Sequence, residues 1–450
     1  MLLFKNKREN DFFVFLILTL NFVMKLPNYL FLCVLCLVLL NFQNLVAKQN
    51  INYYLQEAYK NNPSINEQNN FMKINKLQKD LDYAQNSDFQ VYLSANYLFA
   101  PYFNNSNGII NTNPDQTAIG YDVGITNGGL YSALFNVEKN IFNNPLKNAL
   151  SQQRLIYDSS TKNNIELLKR DIKKQVIDQY LQSYLSDSLY KITNELISYL
   201  NEQLVISEEL VEEGLAKQSD YLLLSLEIEN QRSISKNYLS QFETNLFDLN
   251  TTCGIKDNKD IELDSLSLEL HNENISSSLY KRYEIDSLTI ANQQQIFETK
   301  YQPQVSLFFN TGLNAVELNN IQRKFGVSGG INFSLPIFDG NQKSITQQQS
   351  KISIETIGNY KSQLEVTLKN QRESILKKIK NLQNNLTNLS KQIEKYNTVI
   401  KISEQELKQG HISMIEYLTI LKNFTDFKIN KITIEINLQQ EINNFNFWNY

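Results

Sequence analysis

Residues 325–340, with the sequence FGVSGGINFSLPIFDG, decide how the rest of the chain is interpreted. Up to Leu335 the apolar side chains alternate with glycine, serine and asparagine, a period of two that is typical of a β-strand with one apolar face. After Gly340 the alternation stops, and no further proline occurs in the chain. The segment therefore predicts a strand that leads through a proline-containing junction into a long helix.

Three other segments have the same alternation. They are residues 91–99, 119–125 and 305–313, so that two strand pairs are expected. Each run has about the 9–11 residues of a bilayer-crossing strand, with one apolar and one small or polar face. A half-buried strand of a soluble sandwich has the same periodicity, and the period alone leaves that alternative open.

Between and after the strand pairs the pattern is helical. In residues 378–400 the apolar positions follow steps of three and four, which is a heptad pattern. From residue 146 to residue 213 the chain contains neither glycine nor proline, the residues that most often mark turns. Helices of about 60 residues, each about 90 Å long, are therefore predicted.

The chain contains an internal duplication. The octapeptide that ends at Gly214 (SEELVEEG) is similar to the one that ends at Gly410 (SEQELKQG), about 196 residues later. Each repeat is predicted to contain a helix, two strands and a long helical hairpin. The expected organisation is a targeting segment (1–47), a first repeat (48–256), a polar linker (257–278) and a second repeat (279–450).

The amino-terminal region resembles a secretory signal peptide. The dipeptide Met24-Lys25 precedes an apolar run at residues 29–40, and cleavage is expected near Ala47. An upstream apolar run at residues 12–20 indicates a misassigned start codon, with an amino-terminal membrane anchor as the alternative. An exported protein whose later segments are too polar for spanning helices would enter a membrane as strands.

The composition argues against most enzyme classes. It has two histidines, three cysteines and a formal net charge of −4. This charge does not favour nucleic-acid binding, and the few histidines and cysteines do not favour a metal cluster or a Cys/His nucleophile pair. No nucleotide-binding loop or nucleophile elbow is visible, so no catalytic residue, metal site or cofactor is predicted.

Four strands are too few to close a barrel in a membrane. Single-chain barrels begin at about eight strands, and an open sheet edge in lipid leaves unpaired backbone groups. Copies of the chain would therefore have to pool their strands. The predicted fold class is an α+β membrane protein, in which a coiled-coil α-helical barrel is joined to a transmembrane β-barrel that oligomerisation completes. Such an assembly would enclose a water-filled conduit.

The pattern resembles the TolC-type outer-membrane efflux proteins across almost the whole mature chain. The resemblance depends on the start Leu55-x-x-Ala58-x-x-x-Asn62-Pro63, on Pro303-x-Val305-x-Leu307 and on residues 335–340 (LPIFDG). It implies a homotrimer with a twelve-stranded barrel in the lipid of the cell outer membrane and its helices in the periplasm. It also implies a periplasmic adaptor (membrane fusion) protein and an inner-membrane transporter as partners.

The resemblance also suggests functional residues. Gly214 and Gly410 would form turns at the periplasmic tip, where the hairpins close the tunnel. Glu416 would contribute to an acidic ring at the constriction, and Asp220 with Ser219 would link adjacent hairpins. Ile412 and Thr419 occupy positions where the family often has a basic tip residue and a second acidic ring, so the gate contacts differ from the family pattern.

The junction from strand to helix is the second predicted site, formed by Pro336, Phe338, Asp339 and Gly340. The function expected from the sequence is a trimeric outer-membrane channel, the exit duct of a tripartite efflux or type I secretion system. The alternative is a secreted coiled-coil scaffold or adhesin without channel activity.

Overall fold

The computed structural model of the chain describes residues 48–98, 119, 131–214, 217–256, 261–271, 277–315 and 320–449. These residues form long helices joined to a four-stranded sheet, as the sequence predicts. The predicted targeting segment (1–47) lies outside the described residues, as does all of the predicted strand 119–125 except Ile119.

The elements follow one another in the order of two similar halves. In the first half they are β1 (Lys48–Gln49), α1 (Ile51–Asn61), α2 (Pro63–Ser87), β2 (Gln90–Tyr97), β3 (Tyr131–Asn140), α3 (Asn144–Glu212) and α4 (Gln218–Cys253). They continue with β4 (Glu262–Leu263), α5 (Ser277–Glu298), β5 (Gln304–Ala315), β6 (Phe325–Ser334), α6 (Gln342–Lys408) and α7 (Met414–Trp448). Short 3₁₀ turns, Thr299–Tyr301 and Ile321–Arg323, precede β5 and β6.

The helix ends follow from local chemistry. Asn62 caps α2, since its Oδ1 accepts hydrogen bonds from the backbone N–H groups of Ser64 (2.9 Å) and Ile65 (3.2 Å), and Pro63 occupies the first turn. Gly254 ends α4 in the left-handed region, with φ of 67°. Between such ends α3 has 69 residues and α6 has 67 residues, so each is about 100 Å long.

The four long strands form one antiparallel sheet in the order β2-β3-β5-β6. Directly opposed residues point to the same side of the sheet. One side carries mostly apolar rows such as Leu93, Phe135, Thr311 and Val327, whereas the other carries rows such as Tyr92, Asn136, Asn310 and Ser328. The sheet thus has an apolar face and a polar face, and within the described residues β2 and β6 are its free edges.

The helices that continue from the strands keep the same lateral order. Helix α2 packs on α3, α3 on α5, and α5 on α6. Asn75 of α2 donates to the carbonyl oxygen of Arg154 in α3 (3.1 Å), and Asn292 of α5 donates to that of Ala149 in α3 (3.0 Å). None of the described helices combines the length and the apolar character that crossing a bilayer would require.

The two halves join where both long hairpins meet. Helix α7 packs along α3, with Asn443 donating to the carbonyl oxygen of Lys174 (3.1 Å) and to Asp178 (2.8 Å). Nearby, Tyr54, Tyr180 and Cys253 are buried in one apolar cluster. Burial raises the pKa of the Cys253 thiol to about 12. This cysteine is therefore a structural residue rather than a reactive thiolate.

The part of the predicted linker that the structure describes, residues 261–271, is an extended strap. Its strand β4 pairs in parallel with β1, and Leu263 is buried. The backbone N–H of Leu268 donates to Gln439 Oε1 (2.6 Å), and that of His271 donates to Asn446 Oδ1 (2.9 Å). The strap thereby ties the first repeat to α7.

The strand β3 was not among the predicted strands. Its alternation is interrupted by Leu134, which stands on the polar face, and by the charged Lys139, which follows Glu138 and stands on the apolar face. In the folded chain the Tyr92 hydroxyl donates to Glu138 (2.8 Å), and the Lys139 ammonium lies 4.2 Å from the centre of the Phe89 ring. The charges of Glu138 and Lys139 are therefore accommodated by contacts with another segment of the chain. The sequence of β3 alone does not reveal these contacts.

Candidate functional sites at the helix turns and the strand-to-helix junction

Gly214 and Gly410 lie immediately beyond the ends of α3 and α6, with φ of +72° and +71°. Their backbone N–H groups donate to the carbonyl oxygens of Val211 and Leu407, both at 3.0 Å. A Cβ added at either glycine would meet no heavy atom within 4 Å. The positive φ, rather than a lack of space, is therefore the reason for glycine at both turns.

Glu416 has a local structural role. Together with Ser413 it forms a capping box at the start of α7. The Ser413 Oγ accepts from the backbone N–H of Glu416 (3.2 Å), and Glu416 Oε2 accepts from the backbone N–H of Ser413 (2.8 Å). The spacing Ser-x-x-Glu would have revealed this motif in the sequence. The carboxylate holds the helix start in place, and its place in an acidic ring stays a prediction.

Asp220 and Ser219 lie in the first turn of α4, the helix that corresponds to α7 in the first repeat. Ser219 Oγ donates to Asp220 Oδ1 (3.4 Å), and Lys217 provides no side-chain cap. Asp220 is placed favourably with respect to the helix dipole. Among the hydrogen bonds and ion pairs of the described residues, none joins Glu416 to Asp220 or Ser219. Contacts of Asp220 with other hairpins stay a prediction.

A tyrosine pair beside the turns was missed in the sequence. The hydroxyls of Tyr199 in α3 and Tyr417 in α7 are hydrogen-bonded to each other. Tyr417 is completely buried, in a cluster with Leu196, Leu224 and Met414. Burial raises the pKa of Tyr417, as does its hydrogen bond with Tyr199, and burial also raises the pKa of Tyr199. The hydrogen bond of this pair connects the start of α7 to α3 of the first hairpin. Glu416 is the residue before Tyr417.

The predicted junction residues lie between β6 and α6. Asp339 Oδ2 accepts from the backbone N–H of Lys343 (2.8 Å), which caps the first turn of α6, and Gly340 has φ of +65°. A hydrogen bond with the Tyr301 hydroxyl lowers the pKa of Asp339 and raises the pKa of Tyr301 to about 12. Phe338 is 84% exposed. Pro336 lies after the last residue of β6 and before this cap.

The first repeat has a similar junction between β3 and α3. There Phe142 is 65% exposed. An exposed phenylalanine therefore lies between the strand pair and the long helix in both repeats. Among the described residues, no group of histidine, cysteine and acidic side chains has the arrangement of a metal site.

The architecture is similar to that of solved outer-membrane proteins. VceC from Vibrio cholerae matches with a TM-score of 0.62 at 13% identity, covering 88% of this chain and 94% of VceC. The CmeC channel of Campylobacter jejuni matches with a TM-score of 0.64 at 15% identity, covering 88% and 85%. The MtrE channel of Neisseria gonorrhoeae matches with a TM-score of 0.61 at 13% identity, covering 88% of each chain.

Sequence comparisons give no further assignment, because no protein-family model and no curated protein matches the chain. The structural similarity establishes the fold, which is that of the TolC-type outer-membrane channels.

Proposed function

We propose that the chain forms a homotrimeric channel in the cell outer membrane, with its helices in the periplasm. The channel would be the exit duct of a tripartite efflux or type I secretion system. A periplasmic adaptor (membrane fusion) protein and an inner-membrane transporter would be its partners, and the transporter would supply the energy. VceC, CmeC and MtrE, whose fold it has, are described as an outer-membrane protein and outer-membrane channels.

The open edges of the four-stranded sheet carry this proposal. Its order, β2-β3-β5-β6, leaves β2 and β6 as edges in the described protomer. An unpaired backbone group costs several kcal/mol in lipid. Pairing β2 of one copy with β6 of the next removes both edges, and three copies would provide a twelve-stranded barrel.

The two faces of the sheet suit lipid outside and water inside. On the apolar face Leu93, Val327, Ile331 and Phe333 are all more than half exposed. Exposed apolar side chains over a whole sheet face are unusual for a soluble monomer. On the opposite face, Asn136, Asn310 and Ser328 form a polar row across three strands. Curving the sheet with this face inward would produce a polar lumen.

Helix α6 has an uncovered side that a second copy can occupy. Its Ser350 faces α5, because Ser350 Oγ donates to Gln294 Oε1 (3.2 Å). Ile352 and Ile345 lie about 200° around the helix from Ser350. They are 63% and 51% exposed. We call the side of α6 with Ile345, Ile352 and Val366 the α6 stripe.

Helix α2 at the other end of the helical layer has a matching side. Asn75 and Asp82 face α3, where Asp82 lies 3.5 Å from the Arg154 guanidinium. Leu77 and Leu81 lie on roughly the opposite side of α2 and are exposed. In a ring of copies, this side of α2 would pack against the α6 stripe of the next copy. The same neighbour would supply the β6 strand that pairs with β2.

The proposal also includes a gate at the constriction of the channel. Three copies would bring three Glu416 carboxylates together. The carboxylates would repel one another, and their combined negative charge would attract cations to the constriction. The capping box supports this placement, because it fixes Glu416 at an exposed helix start.

Fractionation followed by electrical recording tests the function. A channel should remain with the outer membrane through a high-salt wash, dissolve in detergent and produce discrete conductance steps in a planar lipid bilayer. A protein that leaves the membrane with salt and never conducts would instead be the secreted scaffold or adhesin.

A further inference from the structure

A pocket lies between α2 and α3, close to the sheet. Its volume is about 140 Å³, and Tyr83 of α2 and Leu150 of α3 contribute to its wall. Ser87 lines the pocket and lies three residues before the start of β2, whereas Lys147 lines it from the first turns of α3. The pocket is therefore within about 10 Å of the end of the sheet, as judged from the helical rise. We call it the α2–α3 pocket.

Several polar atoms in the α2–α3 pocket have unused hydrogen-bonding capacity. Ser87 is 7% exposed, and its Oγ has no hydrogen-bond partner among the described residues. The Nε of Arg154 and the Oδ2 of Asp82 lie 3.5 Å apart, yet both lack a hydrogen bond within that part of the chain. Buried polar atoms of this kind usually have a partner. Ser87 Oγ and Arg154 Nε can each donate to an acceptor atom of an occupant, whereas Asp82 Oδ2 can only accept.

The charge of the pocket is positive. Lys79, Lys147 and Arg154 line it, against one carboxylate, Asp82. Asp82 is paired with Arg154 and also accepts from Gln78 Nε2 (2.9 Å). Neither lysine forms an ion pair with any residue that the structure describes. Two positive charges are thus left for a ligand.

We propose that the α2–α3 pocket binds a phosphate group. Lys79 and Lys147 would neutralise its charge. Rotation of the Ser87 and Arg154 side chains, whose unpartnered atoms are covered in the protomer, would let the Ser87 hydroxyl donate to one oxygen and the Arg154 Nε–H donate to another. These donors come from two helices and could reach different oxygens of one phosphate, and charge-assisted hydrogen bonds of this kind are stronger than neutral ones.

The phosphate can come from two sources, an anionic phospholipid headgroup or free phosphate. Leu150 and the Tyr83 ring provide an apolar surface for the glycerol and the first acyl carbons of a lipid. If the sheet spans the outer membrane as proposed, the pocket lies at the level of the periplasmic headgroups. The lipid source therefore depends on the proposed function, whereas the phosphate chemistry does not.

Binding to the purified full chain in a maltoside detergent tests the proposal. The probes are dihexanoyl phosphatidylglycerol, inorganic phosphate, and dihexanoylglycerol, which has no phosphate. Titration calorimetry should detect binding of the phospholipid and no binding of dihexanoylglycerol. Saturation by inorganic phosphate at a similar concentration would identify the free ion as the occupant of the same site. Equal affinity for dihexanoylglycerol would overturn the proposal.

Matched variants localise the binding. Lys79→Gln with Lys147→Gln should weaken phosphate binding about thirtyfold, as expected for the loss of two cationic contacts. Lys76→Gln with Lys162→Gln makes the same charge change on exposed positions of the same helices and should leave the affinity unchanged.

A third variant keeps the charge of the pocket. Ser87→Ala removes a hydroxyl that has no partner in the described protomer, so the fold should persist while phosphate affinity falls about fivefold. Equal loss in both lysine pairs, or no loss in any variant, would contradict a site in this pocket. Because these assays need no conductance, they remain informative if the chain proves not to be a channel.

Discussion

The α3–α4 hairpin and the α6–α7 hairpin occupy equivalent parts of the two repeats, yet their surroundings differ. Helices α3 and α6 have nearly the same length, but 19 residues of α3 are buried against 5 of α6. Helix α3 packs on α1, α2, α4, α5 and α7, whereas α6 packs on α5 and α7. Helix α3 of the first repeat is therefore covered by other helices of the same chain, whereas α6 of the second repeat keeps an exposed side that a second copy would cover.

The starts of the second helices in the hairpins differ as well. Asp220 and Glu416 are both the third residue of their helices, α4 and α7. Ser413 caps α7 and pairs with Glu416, whereas Lys217 provides no side-chain cap for α4. Tyr417 is buried, whereas Tyr221 at the equivalent position of α4 is partly exposed. The start of α7 is thus the more firmly held of the two.

The largest effect is expected from the α6 stripe. Ile345→Lys with Ile352→Lys should prevent assembly, because each buried isoleucine contributes about 1.5–3 kcal/mol and each unpaired charge in the contact adds a cost. The folded protomer should persist, since neither side chain is buried within it. Native mass spectrometry of the detergent-solubilised variant should detect single protomers.

The control for this change is Ser353→Lys, an exposed position about 100° around α6 from Ile352. It adds one positive charge beside the stripe, as each of the two isoleucine changes does within it, and should leave the oligomer intact. Dissociation caused equally by both changes would mean that charge anywhere on α6, rather than loss of the stripe, prevents assembly.

A second change tests the unequal helix caps. Ser413→Ala should reduce the local stability of the α7 start by about 1 kcal/mol. Amide hydrogen exchange in the first turn of α7 should then be about fivefold faster. Lys217→Ser should have the reverse effect on α4, because it creates the missing cap. If Lys217→Ser does not slow exchange in the first turn of α4, the missing cap is not the reason why α4 starts less firmly than α7.

A similar or slightly smaller loss of stability is expected at Tyr417, and almost none at the equivalent Tyr221. Tyr417→Phe should cost about 0.5–1.5 kcal/mol, because it leaves the Tyr199 hydroxyl without its partner. Tyr221→Phe should stay within about 0.5 kcal/mol. Hydrogen exchange near the start of α7 measures both, and equal effects would show that the pair contributes nothing specific.

The same pair has an expected pH dependence. Because the pKa of Tyr417 is raised above its ordinary value of 10.0 in the folded chain, its stabilising effect is complete below pH 10 and decreases as the pH rises further. In the Tyr417→Phe variant this contribution to the loss above pH 10 should be absent.

The smallest change in stability is expected at the acidic pair. Glu416→Gln keeps the capping box, because glutamine serves at this position as well, and removes only the charge. It should accelerate hydrogen exchange at the start of α7 only slightly, because the lost charge–dipole interaction is about 0.3–1 kcal/mol, and it should raise single-channel conductance or weaken block by divalent cations. Asp220→Asn is the matched change in the first repeat and should have less effect on cation block. An unaltered channel after Glu416→Gln would remove Glu416 from the gate.

Much of this architecture is predictable because local rules determine it. The glycine turns, the capped start Asn62-Pro63 and the long helices depend on residues that are close in sequence. The duplication then predicts that both hairpins have the same form. The capping role of Glu416 is also a local feature, because the Ser-x-x-Glu spacing alone indicates it.

Other features depend on contacts between distant segments. Strand β3 contains Glu138 and Lys139, which are acceptable there because Tyr92 and Phe89 lie beside them in the fold. The Tyr199–Tyr417 pair joins residues from different repeats, and no periodicity indicates it. The unequal burial of α3 and α6 is likewise invisible in the sequence, since both have heptad patterns.

The stoichiometry of the detergent-extracted protein tests the central claim, that copies of the chain pool their strands to complete one barrel. Native mass spectrometry of the wild-type protein should detect a single major species that contains three copies. A species with one copy only, stable and soluble in water after the detergent is removed, would contradict the account.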